Sequence, residues 1–193
     1  KLTLIITTYN WPESLLLVLK SIEFQTILPD EVIIADDGST RETYDLINNF
    51  KKKSNLKILH SWQEDIGFRA ARSRNNAIHI SSGEYIVLID GDSVLHPQFI
   101  KDHLDKSEPG YFVQGSRVLL SRIETKKALE QNKIFFPFLS SKLKNRKNAV
   151  HSRLLSKIFS SKKNHLQGIK SCNMAFYRKD FVNINGFNND IEG

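Results

Sequence analysis

The sequence predicts an α/β fold: a three-layer α/β/α sandwich around a mainly parallel central sheet. Two observations predict it. Over the first 115 of the 193 residues, short β-branched apolar runs alternate with helical patterns, the rhythm of βαβ units. The polar clusters Thr7-Thr8-Tyr9-Asn10, Asp36-Asp37-Gly38-Ser39 and Asp90-Gly91-Asp92 each follow a predicted strand, and none precedes one. Right-handed crossovers gather such loops at one sheet edge, and open α/β sheets bind ligands there, outside the carboxyl ends of their strands.

The elements follow in order. Leu2–Thr7 is a buried strand. Trp11-Pro12 opens a helix, since Pro suits a first helical turn. Leu15, Leu16, Val18, Leu19 and Ile22 form its apolar stripe. Pro29-Asp30 breaks that pattern, and Glu31–Ala35 is the second strand. Asp36–Thr40 is a turn in which Ser39 or Thr40 caps the next helix. Leu56–His60 reads as a third strand, residues 68–80 as a helix ended by Ser82-Gly83, and Glu84–Ile89 as a fourth strand. A short helix over Pro97–Asp105 and a strand over Tyr111–Val113 complete this half. Residues 116–165 lose the rhythm, mixing apolar clusters such as Ile134–Leu139 with Ser, Asn and Lys. A strand returns at Ser171–Phe176, followed by a short helix over Lys179–Asn183 and a turn at Gly186.

Composition narrows the classes. A hydrophobic fraction of 40% with 25% charged residues is ordinary for a globular chain. No run approaches the ~18 apolar residues of a membrane span. The single Cys172 forms no internal disulfide and suits a reducing compartment; it reads as a small core residue rather than a nucleophile. The net charge of +7 is uneven: residues 131–179 hold 12 of the 28 Lys and Arg and no Asp or Glu, leaving 16 against all 21 acids elsewhere. That basic stretch reads either as a solvated loop or, with its Phe and Leu clusters, as a surface for anionic headgroups. No nucleic-acid-binding module accompanies it, so no nucleic-acid partner is expected.

Asp90-Gly91-Asp92 places two carboxylates around one small residue at a strand end. Alone, the pattern fits a surface turn as well as a Mg²⁺ or Mn²⁺ site, in which one or two carboxylates are joined by water and substrate phosphates. In the functional reading, Gly91 leaves room for a diphosphate. Asp36-Asp37 is equally ambiguous between a turn and acceptors for a base N–H or a ribose hydroxyl. Arg69, Arg72 and Arg74 fall within six residues at a helix start, and the guanidinium fork suits phosphate. Neither a Gly-x-Gly-x-x-Gly nor a Walker-type phosphate loop is present. The six His show no zinc-type spacing with Cys172, and His103 reads as a helix-surface residue.

Together these segments resemble the family 2 glycosyltransferases of the Rossmann-like GT-A fold. Leu4-Ile5-Ile6-Thr7-Thr8-Tyr9-Asn10 resembles the opening strand and its Thr-Tyr-Asn signature, with Thr7 in place of the usual Pro. Glu31 to Ser39 resembles the second-strand motif, Ala71 to Ala77 the Ala-x-x-Arg-Asn helix, and Gly83 to Asp92 the Gly-Glu-Tyr…Asp-x-Asp block. The likeness resumes at Ser171–Phe176 and Asn185-Gly186-Phe187, where it is similar to the branch containing bacterial chondroitin-type polymerases and the galactosyltransferase C-terminal region.

The resemblance implies one GT-A domain over residues 1–193, with a nucleotide-sugar-binding half at 1–115 and an acceptor-side half at 116–193 that is incomplete at its C-terminus. It implies a metal-dependent, inverting transfer from a nucleotide sugar, expected to be a UDP-sugar, to a hydroxyl of a surface polysaccharide or oligosaccharide. Thr7, Tyr9, Asn10, Asp36 and Asp37 would hold the base and ribose. Arg69 and Arg74 would lie near the base or diphosphate, with Asn75 bracing the loop. Asp90 and Gly91 would meet the donor, and Asp90 and Asp92 would hold Mn²⁺ or Mg²⁺. The catalytic base is expected beyond Gly193, with Asp190 and Glu192 as substitutes within the chain. The expected location is the cytoplasm, with peripheral membrane contact at the inner face through residues 131–179. A sugar nucleotidyltransferase and a donor-binding domain without transferase activity are the alternatives.

Overall fold

The computed structural model describes residues 1–136, 143–145, 162 and 169–190. Its centre is a six-stranded sheet. Strands β1 (Leu2–Thr8), β2 (Glu31–Asp36), β3 (Ile58–Trp62) and β4 (Tyr85–Asp90) are parallel, and β5 (Val113–Gln114) and β8 (Asn173–Tyr177) extend the β4 side. The order is β3-β2-β1-β4-β8-β5, with β8 antiparallel to both its neighbours. A separate two-stranded ribbon pairs β6 (Leu119–Leu120) with β7 (Leu143–Lys144). The helices are α1 (Pro12–Glu23), α2 (Arg41–Lys51), α3 (Ala70–Ile80), α4 (Phe99–Asp105), α5 (Arg122–Gln131) and α6 (Arg178–Asn183).

The register explains the core. Ile5 of β1 sits opposite Ile33 of β2 and Leu88 of β4, while Leu4 and Ile6 point to the other face. One face packs Leu4, Ile6, Val32, Ile34, Val87 and Ile89 against Leu15, Val18, Leu19 and Ile22 of α1, Ile47 of α2 and Ile100 of α4. The other packs Ile5, Ile33, Ile86 and Leu88 against Ala77 and Ile78 of α3 and Phe181 of α6. Strands covered on both faces read as near-continuous apolar runs rather than alternating, as Leu4–Ile6, Val32–Ala35 and Tyr85–Ile89 do.

The amino edge of the sheet is tied by Glu31. Its Oε1 accepts from Thr3 Oγ1 at 2.7 Å and from the Ser82 backbone N–H at 2.6 Å, and its Oε2 accepts from Lys57 Nζ at 2.8 Å. Burial pushes the Glu31 carboxyl up, but these donors together outweigh it and bring it down to about 2.

Four expectations change. β3 starts two residues later than the sequence suggested, because its pairing with β2 runs from Val32↔Ile58 to Asp36↔Trp62. Helix α5 falls in the stretch read as irregular; Ser121 caps it by accepting from Glu124 N–H at 3.3 Å. His103 is buried rather than on a helix surface, with its ring edge-on to Phe99 at 4.6 Å and its Nε2 2.9 Å from Asn173 Oδ1. Cys172 is only partly buried. Of the two capping residues offered for α2, Thr40 takes the position without a side-chain bond, while Ser39 serves the neighbouring loop.

Candidate functional site

The carboxyl ends of β1, β2 and β4 carry three polar loops, knitted by backbone contacts. The Asp37 N–H donates to Thr8 O at 3.0 Å and the Gly91 N–H donates to Thr7 O at 2.7 Å. Asn10 holds a left-handed φ of 46°, which Asn tolerates better than most residues. Its backbone N–H donates to Ser39 Oγ at 2.9 Å, and its Oδ1 accepts from the Thr40 N–H at 2.8 Å. Asn10 is thus a clamp between the first two loops.

Two glycines are required here. Gly38 adopts φ +95°, and a Cβ there would lie 2.6 Å from Asp65 Cα. A Cβ on Gly91 would meet Thr7 O at 3.0 Å and Thr8 Oγ1 at 3.1 Å. The missing side chain of Gly91 therefore makes room for β1.

The four acids of these loops differ sharply. Asp36 is fully buried; its Oδ1 accepts from the Ser39 N–H at 2.8 Å and its Oδ2 sits 2.8 Å from His60 Nε2. It shapes the loop from inside. Asp37 is 4% exposed and bridges to the segment after β3: Gln63 Nε2 donates to its Oδ1 at 2.6 Å, and the Arg69 N–H to its Oδ2 at 2.8 Å. Asp90 is partly open, with 32% of its side chain exposed. Burial raises its carboxyl, Arg74 counters, Asp92 raises it again, and Arg117 lowers it. Asp92 is exposed.

Arg74 connects the loops by donating from Nε to Thr7 Oγ1 at 2.9 Å and from Nη2 to Asp90 Oδ1 at 3.2 Å. Thr7, Arg74 and Asp90 therefore form one cluster. Tyr9 is 52% exposed, and its hydroxyl donates to Asp65 Oδ2 at 2.9 Å; that bond, the largest influence on the phenol, raises it. Arg69 occupies the N-cap position of α3, and its Nε donates to Ile66 O at 3.2 Å. Asn75 stands apart. Its Nδ2 donates to Phe187 O and Asn189 Oδ1, both at 2.8 Å, and its Oδ1 accepts from the Phe187 N–H at 3.1 Å. It braces the Asn185-Gly186-Phe187 turn. Asp190 lies on that exposed terminal turn, its N–H donating to Asn188 Oδ1 at 2.9 Å. Glu192 lies outside the described residues.

The sequence reading missed Gln63, Asp65 and Arg117. Ending β3 at His60 hid the fact that residues 63–69 form a fourth loop at this edge. Arg117 sits in a stretch without periodicity, and only its electrostatic influence on Asp90 marks it.

Among the described residues no cluster of three or more His, Cys, Asp and Glu surrounds a common point. Asp90 and Asp92 supply two carboxylates at the open end of β4. That donor set fits a hard cation whose remaining ligands are phosphate oxygens and water.

Residues 3–183 match the family described as Glycosyl transferase family 2. The chain belongs to this family. Among curated family relatives, validoxylamine A glucosyltransferase from Streptomyces hygroscopicus subsp. limoneus is 32% identical over 105 residues, 53% of this chain and 23% of that one. Hyaluronan synthase from Pasteurella multocida is 31% identical over 104 residues, 53% of this chain and 10% of that one. The chain thus spans about a quarter or less of the length of these relatives. A mannosyltransferase from Pyrobaculum calidifontis, solved in complex with GDP-Man and Mn²⁺, superposes with a TM-score of 0.64 at 19% identity over 98% of this chain and 48% of that one. Glucosyl-3-phosphoglycerate synthase from Mycobacterium tuberculosis, solved with UDP, gives a TM-score of 0.52 at 17% identity, over 93% of this chain and 57% of that one. The family 2 chain has their GT-A α/β fold. Among its described residues no helix is long and apolar enough to cross a membrane.

Proposed function

We propose that this family 2 chain binds a nucleotide-sugar donor, a UDP-sugar in our reading, and acts in metal-dependent inverting transfer to a glycan hydroxyl. The observation that carries the reading is the Asp90–Asp92 pair at the open carboxyl edge of β4. It is only partly countered by Arg74 and stands beside two further polar loops. Two acids whose charges oppose each other are stabilised by a cation. The solved fold relatives contain GDP-Man with Mn²⁺ or UDP, and family membership favours glycosyl over nucleotidyl transfer.

In this reading Asp37 accepts from the base, and Tyr9 and Thr7 border the nucleoside. Arg74 holds Asp90 toward the diphosphate, and Asp90 and Asp92 hold Mn²⁺ or Mg²⁺. Held there, such an ion would supply positive charge for the leaving nucleoside diphosphate. The reaction also needs a general base to take the acceptor hydroxyl's proton. Asp190 and Glu192 are the candidates within the chain. The names of the hyaluronan and chondroitin synthases support a surface polysaccharide as acceptor. The composition of residues 131–179 supports peripheral contact with an anionic membrane face, on the cytoplasmic side in our reading.

The test is thermal: UDP raises the melting temperature with Mn²⁺ or Mg²⁺ present and not with a chelator, and Asp92→Ala abolishes the shift. A shift that survives chelation, or survives Asp92→Ala, sinks the metal assignment.

A further inference from the structure

Gln63 is absorbed neither by the core nor by the family signatures quoted above, yet its amide is the hub of the edge. Its Nε2 donates to Asp37 Oδ1 at 2.6 Å and reaches Arg69 O at 3.4 Å, while its Oε1 accepts from Asn76 Nδ2 at 3.1 Å. Its own N–H donates to Asp36 O at 3.2 Å. The amide has one allowed orientation, because turning it over would set Oε1 against the Asp37 carboxylate, acceptor to acceptor. Asp37 is consequently held from both sides, with Gln63 on one oxygen and the Arg69 N–H on the other at 2.8 Å. Neither oxygen can swing to face a ligand differently. What each still offers is a lone pair, and a lone pair accepts only from a donor.

We infer that Gln63 is a positioning residue that makes Asp37 a fixed acceptor for a base N–H. The site then favours bases with a ring N–H on that edge (uracil, thymine, guanine) over those presenting a bare ring nitrogen beside an amino group (cytosine, adenine). The inference rests on the donor-binding reading above and deepens it: it names the class of nucleotide and the side chain that enforces the choice. Discrimination of this kind is steep, because a base without the N–H leaves a buried acceptor facing another acceptor. UDP and CDP are the decisive pair, since their rings have the same size and differ on that edge.

The experiment is calorimetric titration of the purified chain with UDP and with CDP, each with Mn²⁺, for the wild type, Gln63→Leu and Asn76→Ala. The wild type is expected to prefer UDP. Gln63→Leu keeps the bulk and removes the donor; it should weaken UDP about 10-fold and narrow the UDP-over-CDP ratio by a similar factor. Asn76→Ala leaves Gln63 in place and only frees its amide, so a shift of about 3-fold in the same direction is expected. If Gln63→Leu does not fold, the exposed Asn76→Ala carries the test. Folded variants that keep the wild-type ratio overturn the inference, as do variants that weaken UDP and CDP equally, the mark of a merely structural role. A wild type that binds both alike overturns it too. A wild type that binds neither nucleotide removes the donor-binding reading and this inference with it. UDP preference with an unmoved ratio leaves that reading standing and sinks this inference alone.

Discussion

Glu31 and Asp90 lie at opposite edges of the same sheet; burial raises both carboxyls, yet the two end up shifted in opposite directions. Glu31, at the amino edge, is buried, yet its carboxyl falls to about 2 because Lys57, Thr3 and Ser82 donate to its two oxygens. Asp90, at the carboxyl edge, is more open, yet its carboxyl rises, because burial is answered chiefly by Arg74 while Asp92 pushes the other way. Burial alone decides neither case. The count of donors does, and it separates a carboxylate spent on the fold from one left available to a ligand.

The largest effect should come from removing the available charge. Asp90→Asn is expected to lower metal-dependent UDP affinity or transfer by about 100-fold, roughly 2.7 kcal/mol. Because the raised carboxyl makes the ionised form costly in the folded state, the same substitution should leave the melting temperature at pH 7 unchanged or higher. A variant that lowers the melting temperature and keeps donor affinity would erase the contrast between the edges.

Glu31→Gln should do the reverse. The depressed carboxyl contributes stability that is present above the unfolded value of 4.5 and disappears as pH falls through about 2. A difference of that size corresponds to roughly 3 kcal/mol. Urea titrations at pH 7 should show the variant less stable by that order. The wild type should lose stability between those two pH values more steeply than the variant, while UDP affinity at pH 7 stays the same in both.

The smallest effect sharpens the boundary of the site. Asn75→Ala removes the partners of the Phe187 N–H and C=O and should cost about 1–2 kcal/mol. Faster amide exchange at Phe187 and little change in donor affinity would mark Asn75 as a brace for the C-terminal turn. A large loss of affinity would bring it back among the donor-binding residues.

What was legible in the chain follows the same division. Strands β1, β2 and β4 are buried on both faces, so their central stretches are apolar runs and leave little ambiguity. Helix α5 buries only Ala128 fully, so no apolar stripe announces it. The cue that was present, Ser121 three residues before Glu124, is a capping pattern that periodicity does not register. His103 looked like a surface residue because one imidazole carries no sign of the Phe99 ring and the Asn173 amide that enclose it. In the candidate site, the acids after strands were visible as motifs. Their division of labour was not: whether Asp36 faces His60 or solvent, and whether Gly91 yields space to a ligand or to Thr7, depends on contacts far apart in sequence.

The antiparallel β8 has a consequence for assembly order. The chain leaves the sheet after Gln114 and re-enters at Asn173, in the slot between β4 and β5. Strands β1 to β4 are therefore able to zip together as they emerge during synthesis, but β5 has no sheet partner until β8 arrives. Until then β4 presents an unpaired apolar edge, the kind of template on which chains associate, and closing it requires a contact of high sequence separation, which is slow. A strand that emerges well after β1 to β4 is thus the one that closes the open edge of β4. Amides of β5 and β8 should accordingly gain protection in a single late step, behind those of β1 and β2.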